Sequence, residues 1–327
     1  MFSQQTERQT VIEEDALTQL LTHIYFDTRL SGYRHYSRRW TVHISNEEGV
    51  PFHLIVKGRA WIHTEGNKPI LLRSGDLILL PKQTRYVIAS DSTPVDTDHI
   101  NQTPSTGREN CATSMLCGTF IFDSDAAKPL LDTLPDIVLL LNKRGRQSTP
   151  GIHHLIDATL DELAQDSPGR GATLCSLARL LFFHILRDRF THFPLTGYFA
   201  ALSHPQIGHV LSLIHTRYGE ELSLERLARE AGMCRTSLIN KFNQYVGMPP
   251  AKYLTAWRMQ TATALLKNTD LSIEQVAVQC GYQSAVSFRK AYKVSTGFTP
   301  KQIRLDGSRR PHRRSGHSLH TDYRHIQ

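Results

Sequence analysis

Two short stretches near the end of this sequence carry side chains suited to binding a polyanion. Each stretch has apolar residues at helical spacing on one side and hydrogen-bonding or cationic residues on the other. Neutral donors beside positive charges favour a partner that offers negative charge and acceptor atoms together. The outward residues are Thr236, Asn240 and Lys241 in the first stretch, and Ser287, Arg289, Lys290 and Lys293 in the second.

The two stretches belong to an internal repeat. The segment LSLERLAREAGM (222–233) aligns with LSIEQVAVQCGY (271–282), which pairs Gly232 with Gly281. Each copy is predicted to form a helix, a glycine turn and a helix, because glycine takes the positive φ that ends a helix at little steric cost. This is the helix-turn-helix pattern, in which a second helix enters the major groove of DNA. Cys280 aligns with an alanine and is predicted to be a small packing residue.

A predicted helix separates the two copies. Its sequence, PPAKYLTAWRMQTATALLKNTD, begins with proline, which suits the first turn of a helix. A helix of roughly seventeen residues spans about 25 Å. A rod of that length would hold two recognition helices near one turn of DNA, about 34 Å, apart. Repeat, spacer and polar faces together predict a domain that binds double-stranded DNA.

The charge of the chain is unevenly distributed. Residues 1–200 hold 20 Lys and Arg against 22 Asp and Glu, whereas residues 201–327 hold 18 against 8, for net charges of −2 and +10. Without residues 308–327, the second half still holds 13 basic against 7 acidic residues. This asymmetry predicts a polyanion partner for the second half.

Length and composition narrow the class further. The chain is long enough for two domains with sizeable cores. It has no run of eighteen apolar residues, and its polar, acidic N-terminus lacks the pattern of a signal peptide. The five cysteines show neither zinc spacing nor the pattern of a disulfide framework. We therefore expect a cytoplasmic protein with no membrane contact and no cofactor.

The first half of the chain shows a different pattern. Within residues 40–123, short apolar runs such as WTVHI, FHLIVKG and LILLP are separated by Gly, Pro and Asp. Many short strands with such punctuation predict a small antiparallel barrel or sandwich. Helical periodicity occurs before it at 14–26 and after it at about 150–190.

Residues 205–305 resemble the DNA-binding domain of the AraC/XylS family of bacterial transcription regulators. The resemblance is carried by LSLERLAREAGMCRTSLINKFNQYVGMPPAKYLTAWRMQTATALLK and LSIEQVAVQCGYQSAVSFRKAYKVSTGFTPKQIR. The stretch FHLIVKGRAWIHTEGNKPILLRSGDLILLPKQTRYVI is similar to the cupin-like N-terminal domains of one branch of this family. These resemblances imply a transcription regulator rather than an enzyme. The regulator is expected to respond to a small-molecule effector and to act as a homodimer. They also imply an activator that contacts RNA polymerase.

The resemblances also imply a fold and a domain organisation. The expected fold class is α+β, with an N-terminal antiparallel cupin-like β-barrel, flanking helices and a C-terminal all-α double helix-turn-helix domain. The expected regions are a sensor domain (1–149), a helical relay or dimerisation region with linker (150–200), a DNA-binding domain (201–307) with helix-turn-helix units at 222–245 and 271–293, and a basic disordered tail (308–327).

The family's base-reading positions fall on particular residues of this sequence. They are Thr236, Ile239 and Asn240 in the first copy, and Ala285, Val286 and Lys290 in the second. The apolar members cannot donate hydrogen bonds, so they would contact thymine methyl groups or leave specificity to polar neighbours. The full set of base-reading candidates adds Arg235, Ser287 and Arg289, and the phosphate-binding candidates are Lys241, Lys293 and Lys301.

Three functions remain open for the barrel. The first is an effector pocket with Trp40, His53, Trp61 and Arg85 as lining candidates, although these residues equally fit a packed core. The second is oxidant sensing through Cys111 and Cys117, which would require accessible thiolates.

The third function is metal-dependent catalysis, as in cupins that are enzymes. Such cupins hold a metal with an HxH pair, a glutamate and a later histidine. This barrel region has no HxH pair, and Arg85 stands where the later histidine is expected. His43, His53 and His63 lie on successive predicted strands and form the remaining candidate set.

Overall fold

A computed structural model describes most of the chain. The described residues are 16–37, 39–44, 49–82, 85–93, 112–122, 125–141 and 150–308. Cys111 and the predicted basic tail beyond residue 308 lie outside them. The helices are α1 (Ala16–His23), α2 (Lys128–Thr133), α3 (Pro150–Ala164), α4 (Arg170–His192), α5 (Gly197–Ser203), α6 (Pro205–Arg217), α7 (Leu224–Glu230), α8 (Arg235–Val246), α9 (Pro250–Asn268), α10 (Ile273–Gln279), α11 (Ala285–Thr296) and α12 (Pro300–Ser308).

Two antiparallel sheets form the first part of the molecule. The strands are β1 (Asp27–Tyr36), β2 (Thr41–Ile44), β3 (Val50–Lys57), β4 (Arg59–Thr64), β5 (Ile70–Arg73), β6 (Leu77–Leu79), β7 (Tyr86–Ala89), β8 (Thr113–Ile121) and β9 (Val138–Leu140). A five-stranded sheet has the order β1-β8-β3-β6-β9, and a four-stranded sheet has the order β2-β7-β4-β5. Every pairing between these strands is antiparallel.

The five-stranded sheet is covered on both faces, which explains its long apolar runs. In β3 every residue from Val50 to Ile55 is buried. Ile55 belongs to the cluster between the two sheets, whereas Phe52 and Leu54 belong to a cluster that includes the helices. Alternating side chains point to opposite faces of a strand, so a strand between two layers is buried on both faces and is mostly apolar.

An aromatic cluster attaches α4 to the sheet. The ring of Phe182 on α4 lies 4.9 Å from that of Phe120 on β8 and 5.1 Å from that of Phe26. Helix α3 packs along α4 on the same side of the barrel. These contacts account for the wide apolar coverage of α4 in the sequence.

The first helix-turn-helix unit shares a core with the barrel domain. Helix α1 packs on α6, and α5 contacts α2, α6 and α8. One continuous cluster of buried side chains runs from Leu17 and Phe120 to Leu238 and Trp257. The second unit has a cluster of its own, formed by the end of α9 with α10 and α11.

The predicted α+β fold class is confirmed. The antiparallel β-barrel with flanking helices is followed by an all-helical part with two helix-turn-helix units. The predicted spacer forms the single helix α9, nineteen residues long.

Candidate functional site

The first unit is built from α7, a glycine turn and α8. Ser223 Oγ accepts a hydrogen bond from the Arg226 backbone N–H at 3.1 Å and so caps α7. Gly232 has φ +62° in the turn, a backbone angle that residues with a Cβ atom rarely adopt. Leu238 and Phe242 are fully buried and fix one face of α8 against the core.

The second unit repeats this construction. Ser272 Oγ accepts from the Gln275 backbone N–H at 3.1 Å, and the Gln275 side chain accepts from the Ser272 N–H at 2.7 Å. Gly281 has φ +76°. Phe288 and Tyr292 are fully buried at the positions equivalent to Leu238 and Phe242. In both α8 and α11, the face opposite these buried side chains therefore turns outward.

The outward face of α8 is mostly neutral. Thr236 and Asn240 are exposed, and Ile239 is 36% exposed. Lys241 is half-buried, with Nζ 3.4 Å from Gln206 Oε1. Arg235 is paired with a carboxylate on α7, as described below. The neutral base-reading candidates of α8 thus present one hydroxyl, one amide and one branched apolar side chain.

The outward face of α11 is cationic. Lys290 and Lys293 are exposed, and Lys301 is exposed near the start of α12. Val286 is 74% exposed at the beginning of the helix. Ser287 donates its hydroxyl to the Ser284 carbonyl at 2.8 Å. The structure leaves Ala285 half-buried.

In each unit, a glutamate forms an ion pair with one of the candidate arginines. The sequence analysis did not identify these two glutamates. Arg235 Nη1 lies 2.9 Å from Glu225 Oε1, and Arg289 Nη2 lies 2.6 Å from Glu274 Oε1. Backbone hydrogen bonds at the helix starts, together with the arginines, lower the pKa of both carboxyls. Both glutamates stay ionised and orient the guanidinium groups. The repeat itself held the signal, because Glu225 aligns with Glu274.

The effector-pocket candidates do not share one pocket. His53 is buried in the barrel, and its Nε2 lies 2.7 Å from Tyr86 Oη. Burial, with a smaller contribution from Arg34, lowers the pKa of His53 to about 3. Trp61 is half-buried on β4 between Ala60 and Ile62, which point into the barrel, so its own side chain faces outward.

The remaining two candidates have different surroundings. Trp40 is 2% exposed, and its ring stacks on Tyr36 with centroids 4.3 Å apart. Arg85 is exposed just before β7. The faces on which His53 and Trp61 lie depend on strand register, which spacing alone does not determine.

Two other sets of candidates have equally clear positions. Cys117 is 7% exposed on β8, directly opposite His53 on β3.

His43 and His63 flank Val87 on the outer face of the four-stranded sheet, away from His53. The three histidines therefore do not converge, and the described residues contain no group of three potential ligands that would hold a metal.

A buried polar network connects the barrel domain to the first unit. On α5, the Tyr198 N–H donates to Thr133 Oγ1 on α2 at 3.0 Å. The Tyr198 hydroxyl lies 2.5 Å from that of Tyr253 on α9, and His215 Nε2 lies 2.9 Å from Tyr253 Oη. Burial and contact with Tyr198 raise the pKa of Tyr253. The network therefore links α5, α6 and α9 through hydrogen bonds that involve two neutral phenol groups.

The sequence matches two family models and many known protein sequences. A model described as Cupin matches residues 15–191, and one described as Helix-turn-helix domain matches residues 227–306. The regulator AlkR of Acinetobacter baylyi is 25% identical over 89% of this chain and 99% of its own length. An HTH-type transcriptional regulator of Haemophilus influenzae is 29% identical over 77% of this chain and 85% of its own.

A solved structure also resembles part of the chain. The DNA-binding domain of AdpA in complex with a target DNA is 30% identical, with a TM-score of 0.31, over 33% of this chain and 96% of that one.

A cupin-type barrel followed by two helix-turn-helix units defines a DNA-binding transcription regulator. The chain belongs to the AraC/XylS family, in the group with an N-terminal cupin-like domain. Its matched relatives are named as transcriptional regulators, which supports a regulator rather than an enzyme. Among the helices that the structure describes, none has both the length and the apolar character needed to cross a bilayer.

Proposed function

We propose that this protein is a cytoplasmic, homodimeric activator that binds a specific operator and responds to a small-molecule effector. The observation that carries the proposal is the repeated construction of α8 and α11. Each helix follows a glycine turn, buries two large side chains and leaves its other face open to a partner. Two such helices joined by α9 suit adjacent major-groove segments on one side of a duplex.

We assign different contacts with DNA to the two helices. Thr236, Ile239 and Asn240 on α8 supply a hydroxyl, an apolar group for a thymine methyl and an amide that pairs with adenine. Lys290 and Lys293 on α11 supply charge for phosphates or guanine. Arg235 and Arg289, oriented by their glutamates, would reach base edges at the ends of these faces.

The response to an effector is assigned to the junction between barrel and first unit. A ligand shifts a conformational equilibrium only if it binds the two states with different affinity. The shared core and the network around Tyr253 give the barrel direct contact with α6 and α9. We propose this junction as the relay, with α3 and α4 as the dimer surface and RNA polymerase as the partner of the DNA-bound form.

The oxidant-sensing alternative receives less support. A sensor cysteine requires access and thiolate character. Cys117 lies in the barrel interior with 7% exposure, in a cluster of apolar side chains. For metal-dependent catalysis, the described residues hold no converging set of histidines.

The proposal is tested by selection from a library of random DNA duplexes with the full-length chain. We expect enrichment of one motif with two half-sites about one helical turn apart. Transcription by purified RNA polymerase from a template carrying that motif should then rise when the protein is added. Absence of any enriched sequence would contradict the proposed function.

A matched pair of variants makes the selection specific. The double substitution Thr236→Ala and Asn240→Ala should relax one half-site. Lys57→Ala changes an exposed lysine on β3 of the barrel, and it should leave the selected motif unaltered.

A further inference from the structure

Two arginines face each other on neighbouring strands of the four-stranded sheet. Arg59 on β4 lies directly opposite Arg73 on β5 in the antiparallel register. Both residues are exposed, and neither has an ion pair or side-chain hydrogen bond with the part of the chain that the structure describes. Like charges directly opposite each other on one face of a sheet destabilise it. An anion between them would remove that cost.

These arginines line a cleft at one end of the barrel. Its volume is about 620 Å³, and it lies where the ends of β4, β5, β7 and β8 meet the segment before β2. Trp40, Arg39 and Asp91 also line it. The cleft is therefore large enough for a small organic molecule.

The acceptor groups of the cleft are already engaged. Asp91 is the one carboxylate among its lining residues, and Oδ2 accepts from Arg39 Nε at 2.9 Å. The hydrogen bonds from Arg39 and Ser90, together with the charges of Arg39 and Arg59, lower the pKa of Asp91 and keep the carboxylate ionised. The Ser74 hydroxyl donates to the Val56 carbonyl, and the Thr113 hydroxyl donates to the Arg59 carbonyl, both at 2.8 Å.

The groups that remain are donors. The Arg59 and Arg73 guanidinium groups have no acceptor in the described chain, and the Trp40 indole Nε1–H is buried without one. Among the described lining residues, three arginines face the single carboxylate of Asp91, so the cleft has a net charge of +2. A partner with oxygen acceptors and negative charge complements this set.

We propose that this cleft binds a small organic anion whose carboxylate or phosphate group bridges Arg59 and Arg73. The planar guanidinium fork matches both of these groups in bidentate geometry. A neutral ligand would leave the cross-strand repulsion in place. Of the four pocket residues indicated by the sequence, only Trp40 lines this cleft. Anion binding by the cleft does not depend on the proposed function. The further claim that this anion is the effector does rest on the proposed function.

The experiment is thermal unfolding of the full-length chain at constant ionic strength. The probes are succinate, inorganic phosphate and the neutral succinamide. At about ten times its Kd, an anion that occupies the cleft should raise the midpoint by about 3 °C, and succinamide should not. A shift with succinate alone assigns a carboxylate ligand, and a shift with phosphate alone assigns a phosphate ligand.

Variants separate the cleft from general ion effects. Arg73→Gln should unfold at a higher temperature than wild type without anion, because the repulsion is gone. The double variant Arg59→Gln, Arg73→Gln should lose the anion-dependent shift, whereas Arg29→Gln, at an exposed arginine on β1, should retain it.

Two results would overturn the proposal. One is the absence of a shift with both anions in the wild-type protein. The other is an equal shift in wild type and the double variant, which is the behaviour of salts excluded from the whole surface. DNA is absent from this assay, so its outcome is independent of the operator selection. Operator affinity measured with saturating anion then decides whether the ligand is the effector.

Discussion

The two helix-turn-helix units share a construction but differ in their outward faces and in their surroundings. With the repeat aligned, Thr236 and Asn240 of α8 occupy the places of Val286 and Lys290 in α11. The first unit presents neutral hydrogen-bonding groups and shares its core with the barrel domain. The second presents charge and packs as a separate cluster. A duplicated element has thus kept its core while its two copies took on different surfaces.

This difference gives the units different roles in our account. Base-edge contacts carry sequence information, whereas phosphate contacts fix position and depend on salt. The first unit is placed to read bases and to receive a signal from the barrel. The second unit is placed to hold the duplex.

The largest expected effect tests the separation of the two cores. Phe288→Ala should cost about 3–5 kcal/mol, because it opens a cavity in the second cluster. Hydrogen exchange should show lost protection in α10 and α11 alone. Its counterpart Leu238→Ala should lower protection in both the first unit and the barrel. Equal loss throughout the chain for both variants would contradict separate cores.

Acid should also act differently on the two units. The pKa of His53 is about 3 in the folded chain and near 6.5 when unfolded, so the unfolded chain binds the extra proton between these values. Folding stability should therefore fall as the pH drops below 6.5, by about 2 kcal/mol at pH 5. Protection should be lost in the barrel and the first unit before the second.

The pH measurement has a matched control. His53→Gln should flatten the pH dependence of stability, because glutamine does not titrate. His63→Gln changes a half-buried histidine on β4 and should leave the acid loss in place. If both variants follow the wild-type curve, the acid sensitivity arises elsewhere.

A smaller effect concerns base readout by the first unit. Asn240→Ala should cost about 1–3 kcal/mol at one base-pair position, because an amide that pairs with one base is removed. Binding to duplexes already mismatched at that position should not change. Asn268→Ala, at the exposed end of α9, provides the control in competition titrations.

Much of the DNA-binding part was predictable from the sequence. The glycines, the capping serines and the buried pairs of each unit follow from local backbone requirements and helical spacing, which the repeat displays twice. The expected helix-turn-helix units lie where α7–α8 and α10–α11 are found. Cys280 is fully buried, as its alignment with an alanine predicted.

The barrel shows why the rest was not predictable. Which side chains meet there depends on strand register and on which sheet a strand joins. His43 and His63 fall on one sheet and His53 on the other, and Trp61 turns outward. Arg59 and Arg73 likewise lie opposite each other only in the observed register of β4 and β5. The junction of barrel and first unit joins segments about 200 residues apart in sequence, such as α1 and α6, which no local pattern connects.

The most direct test of the account is a salt titration of DNA binding on the selected motif and on a scrambled duplex. Lys293→Ala should weaken binding to both duplexes alike and reduce the slope of log K against log salt by about 0.9, because one phosphate contact is lost. Asn240→Ala should lower the ratio of specific to non-specific affinity by about tenfold or more and leave the slope unchanged. If the two variants change slope and ratio in the same way, the division of roles between the two units is contradicted.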